Sequence, residues 1–121
     1  MAKSAVRNQE DRFELGDLVA KAKAGDEEVR EQILREYRPF FLRVASGVCR
    51  KYLVLGRDDE ASIAMIAFNE AIDAYDGTAG ASFLSFAEIV IKRRMVDYFR
   101  RKSRRQDEVP LSNFESEDNE D

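Results

Sequence analysis

Apolar side chains recur at steps of three and four residues along most of this chain, and no stretch alternates between apolar and polar residues as a half-buried strand would. The longest stripe comprises Val29, Ile33, Tyr37, Phe41, Val44, Val48 and Tyr52. Helical spacing places such residues on one face, which a core then buries. The pattern predicts an all-α fold, a compact helical bundle within 121 residues.

Glycine, proline and helix-capping residues divide this pattern into segments. Asp26 and Ser82 are placed to cap the helices that follow them. Pro39 predicts a break because its ring removes one backbone hydrogen bond. The expected helices span residues 14–24, 27–55 with that break, 58–76 and 83–104. We expect a flexible N-terminus over 1–13, one helical domain over 14–105, and an acidic linker or tail over 106–121.

The net charge of −4 conceals two segments of opposite sign. Residues 92–105 carry eight basic side chains and one acid, whereas residues 106–121 carry seven acids and no base. Basic residues near the C-terminus of a helix complement its dipole, but this accounts for only two or three of the eight basic side chains. The basic segment therefore favours a nucleic-acid partner. The acidic segment either folds back on the basic helix and competes with DNA, or is a linker.

The absence of histidine removes several classes of enzyme. Neither a Ser-His-Asp triad nor a histidine-containing zinc site is possible, and the single cysteine, Cys49, excludes thiolate metal clusters. Neither GxxxxGK[ST] nor GxGxxG occurs. The sequence also lacks a secretory signal and an apolar run of the roughly 18 residues that a membrane span needs. We expect a cytoplasmic protein that is not an enzyme and has no cofactor or metal.

The stretch over residues 60–101 resembles region 2 of the sigma-70 family of bacterial transcription initiation factors. EASIAMIAFNEAIDAYD is similar to the helix with which that family holds core RNA polymerase. ASFLSFAEIVIKRRMVDYFRR is similar to its promoter-melting helix, which begins F-x-[ST]-[FYW]-A and closes D-x-x-R. The matching residues are Phe83, Ser85, Phe86, Ala87, Asp97 and Arg100. Within the family, the sequence of these two segments is most similar to that of the sigma-I group of Firmicutes.

This resemblance implies a function and two sets of contact residues. The expected function is to bind core RNA polymerase through its beta-prime subunit and to recognise and melt the −10 element of promoter DNA. The resemblance also implies control by a membrane-spanning anti-sigma factor, and no small-molecule substrate. The set for polymerase or anti-sigma is Asp59, Ser62, Ile63, Ile66, Asn69 and Glu70. The DNA set is Phe83, Ser85, Phe86, Ile89, Lys92, Arg93, Val96, Arg100 and Arg101.

Individual roles within the DNA set follow from side-chain chemistry. Phe86 is expected to form the wall of a base pocket, with Phe83 behind it. The phosphate contacts are expected from Lys92, Arg93, Arg100 and Arg101. Housekeeping members of the family have a tryptophan pair where this chain has Ile89 and Val90, so we expect weaker unaided melting.

Three other functions fit parts of the sequence. A helical adaptor would dock a protein on the third helix without recognising DNA. A helix on an anionic membrane surface would use Tyr98, Phe99 and the arginines. A carboxylate enzyme would use Glu70 and Asp73.

Overall fold

The computed structural model describes residues 9–105, apart from the side chains of residues 9–13, 79 and 105. This part of the chain is built from helices alone, which confirms the all-α prediction. The α-helices are α1 (Gln9–Lys23), α2 (Glu27–Glu36), α3 (Arg38–Cys49), α4 (Asp59–Ala74) and α5 (Phe83–Arg105), with a 3-10 turn at Gly77–Ala79. None of the described helices is long and apolar enough to cross a membrane.

Helix α1 begins at Gln9, five residues before the predicted start. Residues 9–13 were expected in the flexible N-terminus, but their backbone is helical, because Gln, Glu and Arg are strong helix formers that need no apolar periodicity. Residues 1–8 and the acidic segment 106–121 lie outside the described residues. At the other end of α1, Gly25 takes a φ of 119°, and the Asp26 carboxylate accepts a hydrogen bond from the backbone N–H of Val29. The predicted cap of α2 is therefore confirmed.

The predicted break at Pro39 is also confirmed. Helix α2 ends at Glu36, and α3 begins at Arg38 with the proline in its first turn. A missing N–H costs nothing there, since first-turn N–H groups have no partner within the helix. Only Tyr37 separates the two helices.

Helix α3 ends at Cys49, so the prediction that it continues to Gly56 was wrong. Arg50 adopts a left-handed conformation with a φ of 61°, which stops the helix. The backbone N–H of Val54 then donates to the Asp58 carboxylate at 2.8 Å and closes the loop. Tyr52 was predicted to be core, but this loop leaves it 81% exposed.

The core is organised around α4, which packs against all four other helices. Its alanines at positions 61, 64, 67 and 71 are fully buried, and their small side chains let the neighbouring helices approach closely. Phe68 lies at the centre, with the rings of Tyr37, Phe40, Phe41 and Phe83 at centroid distances of 5.4–6.3 Å. The unusual apolar content of α4 is thus explained by its central position.

Candidate functional site

The outer face of α4 carries the residues predicted to bind polymerase. Positions 59, 62, 63, 66, 69 and 70 lie within one side of the helix, opposite the buried alanines. Ile66 is 51% exposed, and Ile63 is half-buried against the core. Exposed aliphatic residues at the centre of a helix face are typical of surfaces that bind another protein.

Two residues of that set are already engaged within the molecule. The Asn69 side-chain oxygen accepts a hydrogen bond from Arg30 at 2.9 Å, and the same arginine pairs with Asp73 at 2.6 Å. Glu70 pairs with Arg94 of α5. The sequence pattern assigned Asn69 and Glu70 to the outer face but gave no sign of these arginine partners. Since arginines hold both Glu70 and Asp73, neither carboxylate is placed as a free general base.

A shallow groove of about 190 Å³ separates the outer face of α4 from α5. Ile63 and Ile66 line it from α4, and Arg94, Tyr98 and Arg101 line it from α5. Arg101 was predicted to lie with the DNA-contacting residues, but the structure places it in this groove, on a different side of α5. Arg94 and Tyr98 were missed as site residues, although their positions seven and three residues before Arg101 place them on the same side of the helix.

The outer face of α5 brings together most of the predicted DNA set. These residues lie along one side of the helix and are all exposed: Ser85, Ile89, Lys92, Arg93, Val96 and Arg100. Ile89 is 50% exposed, and Lys92 and Arg93 follow it by three and four residues on the same side of the helix, with Lys92 paired to Glu88 at 3.0 Å. Such a surface combines phosphate-binding charge with groups that pack on base methyls.

Aromatic rings occupy the N-terminal end of α5. Phe83 is 3% exposed and meets Phe68 and Tyr75 edge to face, each at 5.4 Å, so the prediction that Phe83 takes part in DNA contact is corrected to a supporting role in the core. Phe86 is half-buried, and its ring centroid lies 5.6 Å from that of Tyr75. Tyr75 was missed by the sequence reasoning. It is fixed in place by its hydroxyl, which donates to the Ala81 carbonyl at 2.5 Å.

The connection between α4 and α5 is stabilised by hydrogen bonds among its own polar groups. The backbone N–H and the hydroxyl of Thr78 both donate to the Asp76 carboxylate, and these hydrogen bonds lower the pKa of that group. At the start of α5, the backbone N–H of Ser85 donates to the Ser82 hydroxyl at 3.2 Å, which confirms the predicted cap. These contacts fix where α5 begins relative to Tyr75.

The aromatic residues near the end of α5 do not form a membrane-binding face. Phe99 packs against the core, and Tyr98 lines the groove beside α4. The two rings contact each other at a centroid distance of 5.3 Å, but both are half-buried, whereas an interfacial helix presents its aromatic residues to the membrane. The geometry therefore disfavours the membrane-surface interpretation.

Comparisons with known proteins point to one family. The family profile described as Sigma-70 region 2 matches residues 33–105. The chain is 37% identical over 106 residues to RNA polymerase sigma factor SigI of Bacillus subtilis, which covers 88% of this chain and 42% of that protein. It is 45% identical over 101 residues to SigI5 of Acetivibrio thermocellus, and this alignment covers 82% of this chain and 41% of SigI5. It is 46% identical over 79 residues to SigI of Bacillus anthracis, with coverage of 65% and 32%. The chain thus spans less than half the length of these relatives.

Proposed function

The chain belongs to the sigma-70 family of transcription initiation factors, in its SigI group, and on that premise we propose two binding surfaces for it. The outer face of α4 binds core RNA polymerase, through the beta-prime subunit, and the outer face of α5 binds and melts the −10 element of promoter DNA. The observation that carries the proposal is that the exposed aliphatic residues lie on two helices, with Ile66 lining the groove and Ile89 outside it. Both partners can therefore be bound at once.

Affinity for DNA comes first from the cations of the outer α5 face. Lys92, Arg93 and Arg100 are exposed, so they can reach phosphates without leaving the helix. Each neutralised phosphate releases counterions, which makes binding dependent on salt but not on sequence. Specificity then requires contacts with base edges. Arginine can pair with guanine through two hydrogen bonds and valine can pack on a thymine methyl, so Arg93 and Val96 are the candidates for reading the duplex.

Melting requires a place where an unpaired base is held. Phe86 is half-buried, and its ring is tilted against that of Tyr75, so we assign the exposed part of the ring to stacking with a base. A base stacked on an aromatic ring is stabilised by about 1–3 kcal/mol, comparable to the cost of removing it from the duplex. The Ser85 hydroxyl lies one residue away and can donate to a base edge. The domain opens DNA without catalysis, because it binds the melted strand better than the duplex.

Polymerase binding is assigned to the exposed part of the α4 face. Asp59 and Ser62 provide polar groups at its N-terminal end, and Ile63 with Ile66 provide the apolar centre. An apolar centre with a polar rim is the usual anatomy of a protein interface. Glu70 contributes at the other end in its ion pair with Arg94.

We further propose that an anti-sigma factor covers this same face in the uninduced cell, as the relation to the SigI group leads us to expect. A stable interface of this kind buries on the order of 1,000–2,000 Å² in total, enough to cover the exposed isoleucine on α4. Inhibitor and polymerase would then compete directly. A ternary complex of the domain with both proteins would contradict the competition.

The salt dependence of promoter binding tests the DNA assignment. In reconstituted holoenzyme, Arg100→Ala should reduce the slope of log affinity against log salt by about 0.7–0.9, which corresponds to one phosphate contact. The loss should be similar for all sequences. Arg35→Ala, which removes an exposed arginine from α2, is the matched control and should leave the slope unchanged. Equal slopes for Arg100→Ala and the wild type would remove Arg100 from the DNA surface.

A further inference from the structure

The groove between α4 and α5 extends towards the C-terminal end of α5, where Arg101 lines it. Its apolar floor is formed by Ile63 and Ile66, and Tyr98 adds a ring to the wall. Arg94 lies near one end and Arg101 near the other, one turn before the end of the helix. Arg94 is paired with Glu70, whereas no described carboxylate forms an ion pair with Arg101. An occupant that matches this groove combines apolar side chains with acidic groups.

The segment that follows α5 has that composition. Residues 106–121 contain seven acids and no base, and the apolar residues Val109, Leu111 and Phe114 lie among them. We propose that this segment folds back along α5 and occupies the groove, with Leu111 and Phe114 over the two isoleucines and with acidic groups against Arg101.

Chain length allows this contact. The distance along α5 from residue 105 back to Tyr98, which lines the groove with Ile66, is about 10 Å at 1.5 Å per residue. An extended chain covers about 3.3 Å per residue, so three or four of the five residues 106–110 retrace this distance and the rest are available for reversing the chain direction. Leu111 then reaches the level of Ile66. The step of three residues from Leu111 to Phe114 allows the chain to turn so that Phe114 covers the second isoleucine of the groove. No rearrangement of the helices is needed.

Tethering makes a weak contact effective. A short connection gives an intramolecular ligand an effective concentration on the order of millimolar, so modest complementarity suffices to fill the groove. The contact covers Ile66 and leaves the outer α5 face free. Because the contact covers Ile66, the segment would compete with polymerase. That consequence rests on the function proposed above, whereas the contact itself does not.

Paramagnetic relaxation measured on the full chain tests the contact directly. A nitroxide is attached to Ser112→Cys in a Cys49→Ser background, and the methyl signals of the six isoleucines are recorded. The signals of Ile63 and Ile66 should lose most of their intensity, and the loss should not change on dilution. Ile89, on the outer α5 face, should keep its intensity and serves as an internal reference.

Paired variants separate the proposal from its alternatives. Leu111→Ser with Phe114→Ser should restore the signals of the two groove isoleucines, whereas Asn113→Ala should not. Loss of intensity at Ile89 instead would place the segment on the DNA face, and an effect that weakens on dilution would mean that a second copy supplies it. Either result, or unchanged intensities at all six isoleucines, overturns the proposal. None of these readouts involves polymerase, so the proposed function can fail independently.

Discussion

Replacing Phe86 by alanine should separate the binding of melted DNA from the binding of duplex DNA. The ring is half-buried and lies at a centroid distance of 5.6 Å from Tyr75, and the proposal places the base against its exposed part. Loss of one base–aromatic stack costs about 1–3 kcal/mol, or roughly 5- to 150-fold in affinity. The destabilisation of the fold should be smaller than the 3–5 kcal/mol or so of a fully buried phenylalanine, because Phe83 and the Ala81 carbonyl still hold Tyr75.

The assay compares two promoter fragments at one salt concentration. Holoenzyme reconstituted with the wild type or with Phe86→Ala is titrated against a fully paired fragment and against one whose −10 element is single-stranded. Affinity for the single-stranded form should fall by the amount given above, and duplex affinity should barely change. Phe86→Tyr keeps the ring and should bind as the wild type does, whereas Phe86→Leu keeps the bulk without the ring and should behave like alanine. Equal losses on both fragments would show that Phe86 is structural.

Four further outcomes follow from contacts and burial within the bundle. Arg30→Ala leaves Asp73 without its ion pair and removes the hydrogen bond to the Ala22 carbonyl, so the free energy of unfolding measured with urea should fall by about 1–3 kcal/mol. Burial raises the pKa of the Cys49 thiol to about 11, so at pH 8 its alkylation should be slow in the folded protein and much faster in denaturant. Because the folded state holds that proton more tightly, stability should also decline as the pH rises from about 9 to 11. Tyr75→Phe removes only the hydrogen bond to the Ala81 carbonyl, so it should lower thermal stability by about 0.5–1.5 kcal/mol and leave stacking at Phe86 intact.

Much of the fold could be predicted from local sequence because the decisive signals are local. Helical periodicity, the caps at Asp26 and Ser82 and the break at Pro39 each act within one turn of chain. The end of α3 could not be predicted in this way. The stripe continues from Val48 to Tyr52, but the left-handed Arg50 and the Asp58 carboxylate that accepts from Val54 turn the chain away. Such a turn leaves no mark on hydrophobic periodicity.

The sequence predicted correctly which helix sides form the candidate surfaces, but it predicted less accurately which individual residues belong to each surface. Spacing on one helix shows which side chains share a side, and it correctly groups Ile89 with Val96. It does not show which neighbouring helix packs beside them. The positions of Arg101 in the groove and of Asn69 against Arg30 depend on contacts between elements far apart in sequence. Tyr75 was missed for the same reason, since only the folded loop returns it to Phe86.

The central claim is that two different faces bind two different partners, and two isoleucines of nearly equal exposure test it. Ile66 on α4 is 51% exposed and Ile89 on α5 is 50% exposed, so glutamate at either position should be tolerated by the fold. The measurement is the affinity of each variant for core RNA polymerase, followed by promoter binding of the holoenzyme at saturating polymerase. Ile66→Glu should lose polymerase affinity by at least about 30-fold, as expected for an interface residue worth 2 kcal/mol or more. Ile89→Glu should keep it and lose promoter binding. Loss of polymerase binding in both variants, or in neither, would contradict the assignment.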